Sequence, residues 1–173
     1  MFQTFKNAWK IPDLRKKLLF TVLAIVLYRL GACIPVPWVT SAFADSLSQA
    51  GTNAAFTYLN IMSGDAFGKA TLFALSVSPY ITASIVVQLL TIAIPKLEEM
   101  QKDGEDGRKK IQTISRYLTV ALALIEGIAM TIGFGGRGLL ESATIPNMIV
   151  VVAAMTAGSA FLMWIGEEIT QYG

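Results

Sequence analysis

The sequence predicts an all-α integral membrane protein built on four transmembrane helices. Two observations carry that prediction. Apolar residues make up 54% of the chain and charged residues only 15%, against roughly 25% charged in ordinary soluble domains. The charges are also segregated, with none between Ala70 and Pro95 and none between Ser142 and Gly166. Uncharged apolar runs of about 18 residues or more can cross a hydrocarbon layer about 30 Å thick as helices.

Residues 1–17 carry Lys6, Lys10, Arg15, Lys16 and Lys17 against one acid, Asp13, with Phe5 and Trp9 among them. That mixture suits a basic amphipathic arm at a membrane surface. The first span is expected over 18–36, closed by Pro35 and Pro37, which cannot continue a helix. Leu30-Gly31-Ala32-Cys33 has the form of a lipoprotein cleavage box. Arg29 just before it, and Ile34-Pro35-Val36-Pro37 just after it, argue for a retained helix instead. Residues 37–69 hold Ser, Thr, Asn, Gly and Asp throughout and are too polar to span.

The second span is expected over 70–95. Pro79 lies inside it, ringed by Ser76, Ser78, Tyr80, Thr82 and Ser84. Lipid cannot satisfy the backbone groups a proline frees. The cluster therefore reads either as a structural kink or as part of a helix lining a water-filled path, and Gln88 favours the path. Residues 96–116 hold six Lys/Arg and five acids, with Asp103-Gly104 and Asp106-Gly107 as turn signals, and read as an exposed loop. The third span is expected over 117–134, with Glu126 in its middle. Gly133, Gly135, Gly136 and Gly138 mark a turn before and within 135–144. The fourth is expected over 145–166, and Glu167 and Glu168 open the end segment 167–173. Its run Ala153, Ala154, Thr156, Ala157, Gly158, Ser159, Ala160 suits close backbone approach.

Residues 1–17 and 96–116 carry eleven Lys/Arg, whereas 37–69 and 134–144 carry only Lys69 and Arg137. The positive-inside rule then places the N-terminus and the charged loop in the cytoplasm. A net charge of +2 without a dense basic patch gives no reason to expect nucleic acid. A single cysteine, Cys33, excludes an intramolecular disulfide. The absence of histidine, and of Cys or carboxylate clusters at ligand spacing, argues against a transition-metal site. No nucleophile is paired with a base, so neither enzymatic activity nor a cofactor is expected.

Arg29 and Glu126 are the ionisable residues inside spans, where each costs a few kcal/mol at mid-membrane. A functional role, snorkelling and a structural ion pair all remain open for them. Counted from Leu18 and Tyr117, their depths differ by about 3 Å, which makes mutual pairing one option.

Several stretches resemble the SecY family. Arg29-Leu30-Gly31 leading into Ile34-Pro35-Val36-Pro37 resembles the end of its first helix, and Asn60-Ile61-Met62-Ser63-Gly64 resembles its plug. Phe73 to Leu90, Phe-Ala-Leu-Ser-Val-Ser-Pro-Tyr-Ile-Thr-Ala-Ser-Ile-Val-Val-Gln-Leu-Leu, is similar to its second helix. Gly104-Glu105-Asp106-Gly107-Arg108-Lys109-Lys110-Ile111 resembles its first cytoplasmic loop. Thr156-Ala157-Gly158 followed by Phe161-Leu162-Met163-Trp164-Ile165-Gly166-Glu167 resembles the end of its fourth helix.

The resemblance implies the N-terminal portion of a ten-helix channel made of two inverted halves. Unfolded secretory chains cross such a channel through an hourglass pore, and membrane segments leave it sideways through a lateral gate. Val77 and Ile81 would belong to the apolar pore ring, where their i, i+4 spacing puts them on one helix face. The plug would cover about 55–69, including Asn60, Ile61, Met62, Ser63 and Gly64, and would be mobile. The lateral gate would include Thr82, Ile85 and Gln88, with Glu126 on the third helix. Implied partners are SecE and SecG, SecA or a ribosome through parts not in this sequence, signal sequences, unfolded preproteins and the lipid bilayer. The implied location is the bacterial inner membrane.

The sequence departs from the family pattern at Val77, where a larger ring residue is common, and at Ser76 and Ser78, where Gly and Met are frequent. Glu126 stands where a neutral polar residue is usual. Four helices cannot close such a pore, so the sequence is expected to be one part of it. Two rival readings stay open: a small four-helix ion or solute transporter with Glu126 as proton site, and a purely structural membrane subunit.

Overall fold

The computed structural model describes residues 11–40, 54–135, 139–140, 142 and 144–173. Phe5, Lys6, Trp9 and Lys10 of the expected surface arm lie outside the described residues, as do Gly136, Arg137 and Gly138.

Six helices follow one another: α1 Pro12–Ala32, α2 Ala54–Met62, α3 Ser78–Ala93, α4 Pro95–Lys102, α5 Glu105–Phe134 and α6 Ile145–Tyr172. No strand forms among the described residues, only the isolated bridges Pro35–Thr71 and Val39–Leu140. By length and composition α5 and α6 can each cross a membrane, and α3 with α4, bent by 101°, counts as a third span if taken as one. The core is α5 packed on α6 and on α3, with α1 set against α6.

Local chemistry places the helix ends. Proline stands at the first or second position of α1, α3, α4 and α6, where its missing N–H would be unsatisfied anyway. Pro79 therefore starts α3 and does not kink it, and the expected span 70–95 is helical only from Ser78. The apolar run before it is turns, with Ala70 at φ 43° and Ser76 at φ 55°. The charged stretch 96–116 is not a loop either. Asp103 and Gly104, the latter at φ 79°, make a short turn between α4 and the first three turns of α5. Gly107 lets the hairpin close, because a Cβ there would run into the Met100 carbonyl.

The first helix is shorter than the apolar run. α1 stops at Ala32, because Pro35 and Pro37 push the residues before them out of helical conformation. Its depth can be read against α6. Phe20 meets Tyr172 edge-on with ring centroids 6.0 Å apart, and Tyr28 stacks on Phe73, which stacks on Phe161. At a rise of about 1.5 Å per residue, Ala32 lies level with about residue 160, close to the middle of α6. α3 likewise begins at mid-depth, since the Ser76 carbonyl accepts a hydrogen bond of 3.3 Å from Ser159 Oγ. The other half of the bundle holds α5, α6 and irregular chain.

Candidate functional site

The irregular chain at mid-depth is the most unusual part of the molecule. Within a bilayer, non-helical backbone survives only where protein buries it or water reaches it. Here residues 63–75 are largely buried: Ser63, Ala66, Phe67, Ala70, Thr71, Phe73, Ala74 and Leu75 are all in the interior. Most of their backbone N–H groups are partnered. Leu72 N–H donates to the Ile34 carbonyl at 3.0 Å, and Val36 N–H to the Ala70 carbonyl at 3.4 Å. Thr71 N–H and Oγ1 both donate to the Ala66 carbonyl.

The small-residue run of α6 receives this chain as well as α5. A Cβ on Gly158 would collide with the Leu72 carbonyl, so only glycine permits that approach. Ser159 supplies the hydrogen bond to Ser76. On the neighbouring face, the packing expected from the composition occurs between Gly127 of α5 and Val152 and Thr156 of α6.

The candidate plug residues form a compact turn at the end of α2. Asn60 bridges it, with Nδ2 donating to Asp65 Oδ1 at 2.7 Å and Oδ1 accepting from Gly68 N–H at 2.8 Å. Ser63 Oγ donates to the Asn60 carbonyl and accepts from Phe67 N–H. Gly64 and Asp65 take left-handed conformations, φ 60° and 75°. Ser63 is buried, whereas Ile61 is 73% exposed and Met62 is exposed. Side-chain amide and hydroxyl groups thus close the turn internally.

On α3 the buried residues Pro79, Ala83, Val87 and Thr91 recur every fourth position. Val77, Ile81, Ile85 and Gln88 lie on the opposite face, within about 80° of one another at 100° per residue, and all are exposed. Thr82 is exposed too, about 100° around from Ile81. The structure thus brings Val77, Ile81, Ile85 and Gln88 into one stripe that starts at mid-depth, and leaves Thr82 to its side. Glu126 is half-buried on α5.

Arg29 and Glu126 do not pair. Among the described residues the ion pairs are Lys69–Asp65, Lys102–Glu98 and Arg116–Glu167. Arg116 opposite Glu167 sets Glu126 level with about residue 157 of α6, whereas Arg29 is level with about 163, some 9 Å away in depth. Counting from Leu18 and Tyr117 missed this because α1 begins further from mid-depth. Arg29 instead lies beside the turn, its Nη1 3.4 Å from where a Cβ on Gly64 would be.

Three features had no signal in the sequence. Tyr28, Phe73, Phe161 and Trp164 stack in a row at centroid distances of 5.7, 6.2 and 5.7 Å. Tyr28 also donates to the Ser63 carbonyl. At the charged end, Glu167 (10% exposed) accepts from Arg116 at 2.8 and 2.9 Å and from Gln112, joining α5 to α6.

The described residues thus form a helical bundle whose centre is irregular, internally bonded backbone. Among solved structures the chain is similar to Sec61 in the canine ribosome–channel complex from the endoplasmic reticulum, with a TM-score of 0.57 and 22% identity, covering 96% of this chain and 37% of that one. A second match is a chain from work on the SecY plug domain, described as stabilising the closed state of the translocation channel and maintaining a membrane seal. Its TM-score is 0.59 with 22% identity, covering 96% of this chain and 36% of that one.

The chain belongs to the SecY family: the SecY family model matches residues 71–173. It is 41% identical over 176 residues to the protein translocase subunit SecY of Halalkalibacterium halodurans and 39% identical over 177 to that of Bacillus subtilis, covering 100% of this chain and 40% of each relative. Against the subunit of Streptomyces griseus it is 44% identical over 184 residues, covering 42% of that protein. The chain thus spans about 40% of the length of these relatives. Nothing in these comparisons supports a transporter built on Glu126.

Proposed function

We propose that this chain forms one side of a protein-conducting channel that exports unfolded chains and releases membrane segments laterally into the bilayer. One observation carries the reading. The end of α1 and the start of α3 both meet irregular, protein-buried backbone at mid-depth, so neither helix alone spans the bilayer there. At that depth Val77 and Ile81 turn apolar side chains outward from α3, 36% and 48% exposed. They are the ring share of this chain, and about 55–69, ending in the turn 60–69, is its plug. Thr82, Ile85 and Gln88, with Glu126 on the third span, form its side of the lateral gate.

The N-terminal and 96–116 segments are cytoplasmic, in the bacterial inner membrane, and the remaining channel wall comes from the rest of the channel with SecE and SecG. SecA or a ribosome supplies the driving force elsewhere on the assembly. An apolar constriction blocks ions by dewetting, so the test is resting conductance. Replacing Val77 and Ile81 together with Ser in the intact translocase should raise ion leakage through idle channels. Unchanged leakage removes these two residues from the seal.

A further inference from the structure

Between α3, α4 and the first turns of α5 lies an open recess of about 290 Å³, near the lower limit for a small-molecule pocket. Two contacts fix its depth. Ser76 bonds to Ser159 and Arg116 pairs with Glu167, so Ser84 and Ser115 lie level to within a residue, at the charged end of the apolar layer. Arg108 stands about 12 Å beyond Arg116. The recess, lined by Ser84, Ser115 and Arg108 together, therefore crosses the headgroup layer, about 5–8 Å thick on each side of a bilayer. Its lining is mixed: Val87 and Ile111 are apolar, and Gln88 and Gln101 bring amide groups. No carboxylate lines it.

We propose that this recess binds the phosphate headgroup of an anionic membrane lipid, with Arg108 as the charge partner. A guanidinium with no carboxylate in the same recess favours an anion, and its planar fork meets phosphate oxygens in pairs. Glu105 lies one turn further out on α5, yet Arg108 forms no ion pair among the described residues. The hydroxyl of Ser84 and the amides of Gln88 and Gln101 can donate to the remaining phosphate and glycerol oxygens. Val87 and Ile111 suit the first carbons of the acyl chains. A free phosphate would use the same donors but gain nothing from the apolar wall, so the lining favours a lipid. Binding there requires only that α5 and α6 cross a bilayer, as their length and composition allow, and not that the chain forms a channel.

The test uses the intact translocase in nanodiscs of phosphatidylcholine with a minor share of phosphatidylglycerol, and a photoreactive residue in place of Gln101. Crosslinks to phosphatidylglycerol should exceed its share of the bilayer about fivefold, the preference one basic side chain gives near an anionic lipid. Excess inorganic phosphate, at matched ionic strength, should not reduce them. Arg108→Gln should bring the crosslinks down to the bilayer share. Arg108→Lys should keep part of the enrichment, which separates loss of charge from a folding defect. Crosslinks that merely follow bilayer composition in the parent would overturn the site. Loss of enrichment in inorganic phosphate would overturn it in favour of a free anion, and crosslinks to protein alone in favour of a recess filled by another part of the translocase. An unchanged leak in the Val77 and Ile81 variant rejects the seal proposed above and leaves the crosslinking result to decide the lipid site.

Discussion

Ser76 carries two demands at once. Its carbonyl takes the hydrogen bond from Ser159, and its backbone sits at φ 55°, a left-handed conformation that costs an L-residue with a Cβ about 1 kcal/mol. Glycine removes that cost, so Ser76→Gly should raise the thermal midpoint of the purified protein, an effect worth up to about 1 kcal/mol. A fall would mean that the serine side chain contributes more than the strain removes. Gly158 makes the opposite case. Gly158→Ala drives a Cβ into the Leu72 backbone, and backbone cannot rotate away, so it should destabilise by several kcal/mol or block assembly. A midpoint within a degree of the parent would contradict the close approach. Thr156 Oγ1 is buried without a hydrogen-bond partner among the described residues. Thr156→Val keeps the shape and removes the unsatisfied group, so it should be neutral or stabilising in the same assay.

At the scale of elements, uncharged apolar runs were enough to read the apolar parts of α5 and α6 from the sequence, 117–134 and 145–166, but not their charged helical ends at 105–116 and 167–172. The half-length helices were not legible. Residues 70–77 and 33–36 are as apolar as the helices they adjoin, and hydropathy cannot distinguish a helix from buried irregular chain of the same composition. The signals that did exist were local, Pro79 as a helix start and Pro35 as a stop. Candidate site residues followed the same division. The i, i+4 relation of Val77 and Ile81 is visible in sequence, whereas the grip of Tyr28 on Ser63 joins residues 35 positions apart and has no local trace. The depth offset between α1 and α5 yields a prediction of its own. In a charge-swap cycle of Arg29→Glu, Glu126→Arg and the double variant, losses of stability should add within about 0.5 kcal/mol. Recovery in the double variant would bring the two residues into contact and contradict the offset.

At the scale of the molecule, the bundle is one-sided. α3 buries one face against α5 and turns the other, with Val77, Ile81, Ile85 and Gln88, to the outside. The exposed apolar residues of α2, Tyr58, Ile61 and Met62, add to the unburied surface. α6 offers a contrasting exposed surface at Ile149, beside a groove whose lining, Leu124, Ile128, Ile145 and Met148 among it, is almost wholly apolar and suited to lipid. We propose that the α3 face lines the path of a moving polypeptide and that the Ile149 face does not. A photoreactive residue placed at Ile81, and separately at Ile149, in the intact translocase holding an arrested secretory chain tests it directly. Crosslinks to the arrested chain from position 81 and to lipid from position 149 are the predicted result. Crosslinks to lipid alone from position 81, or to the arrested chain equally from both, would contradict it.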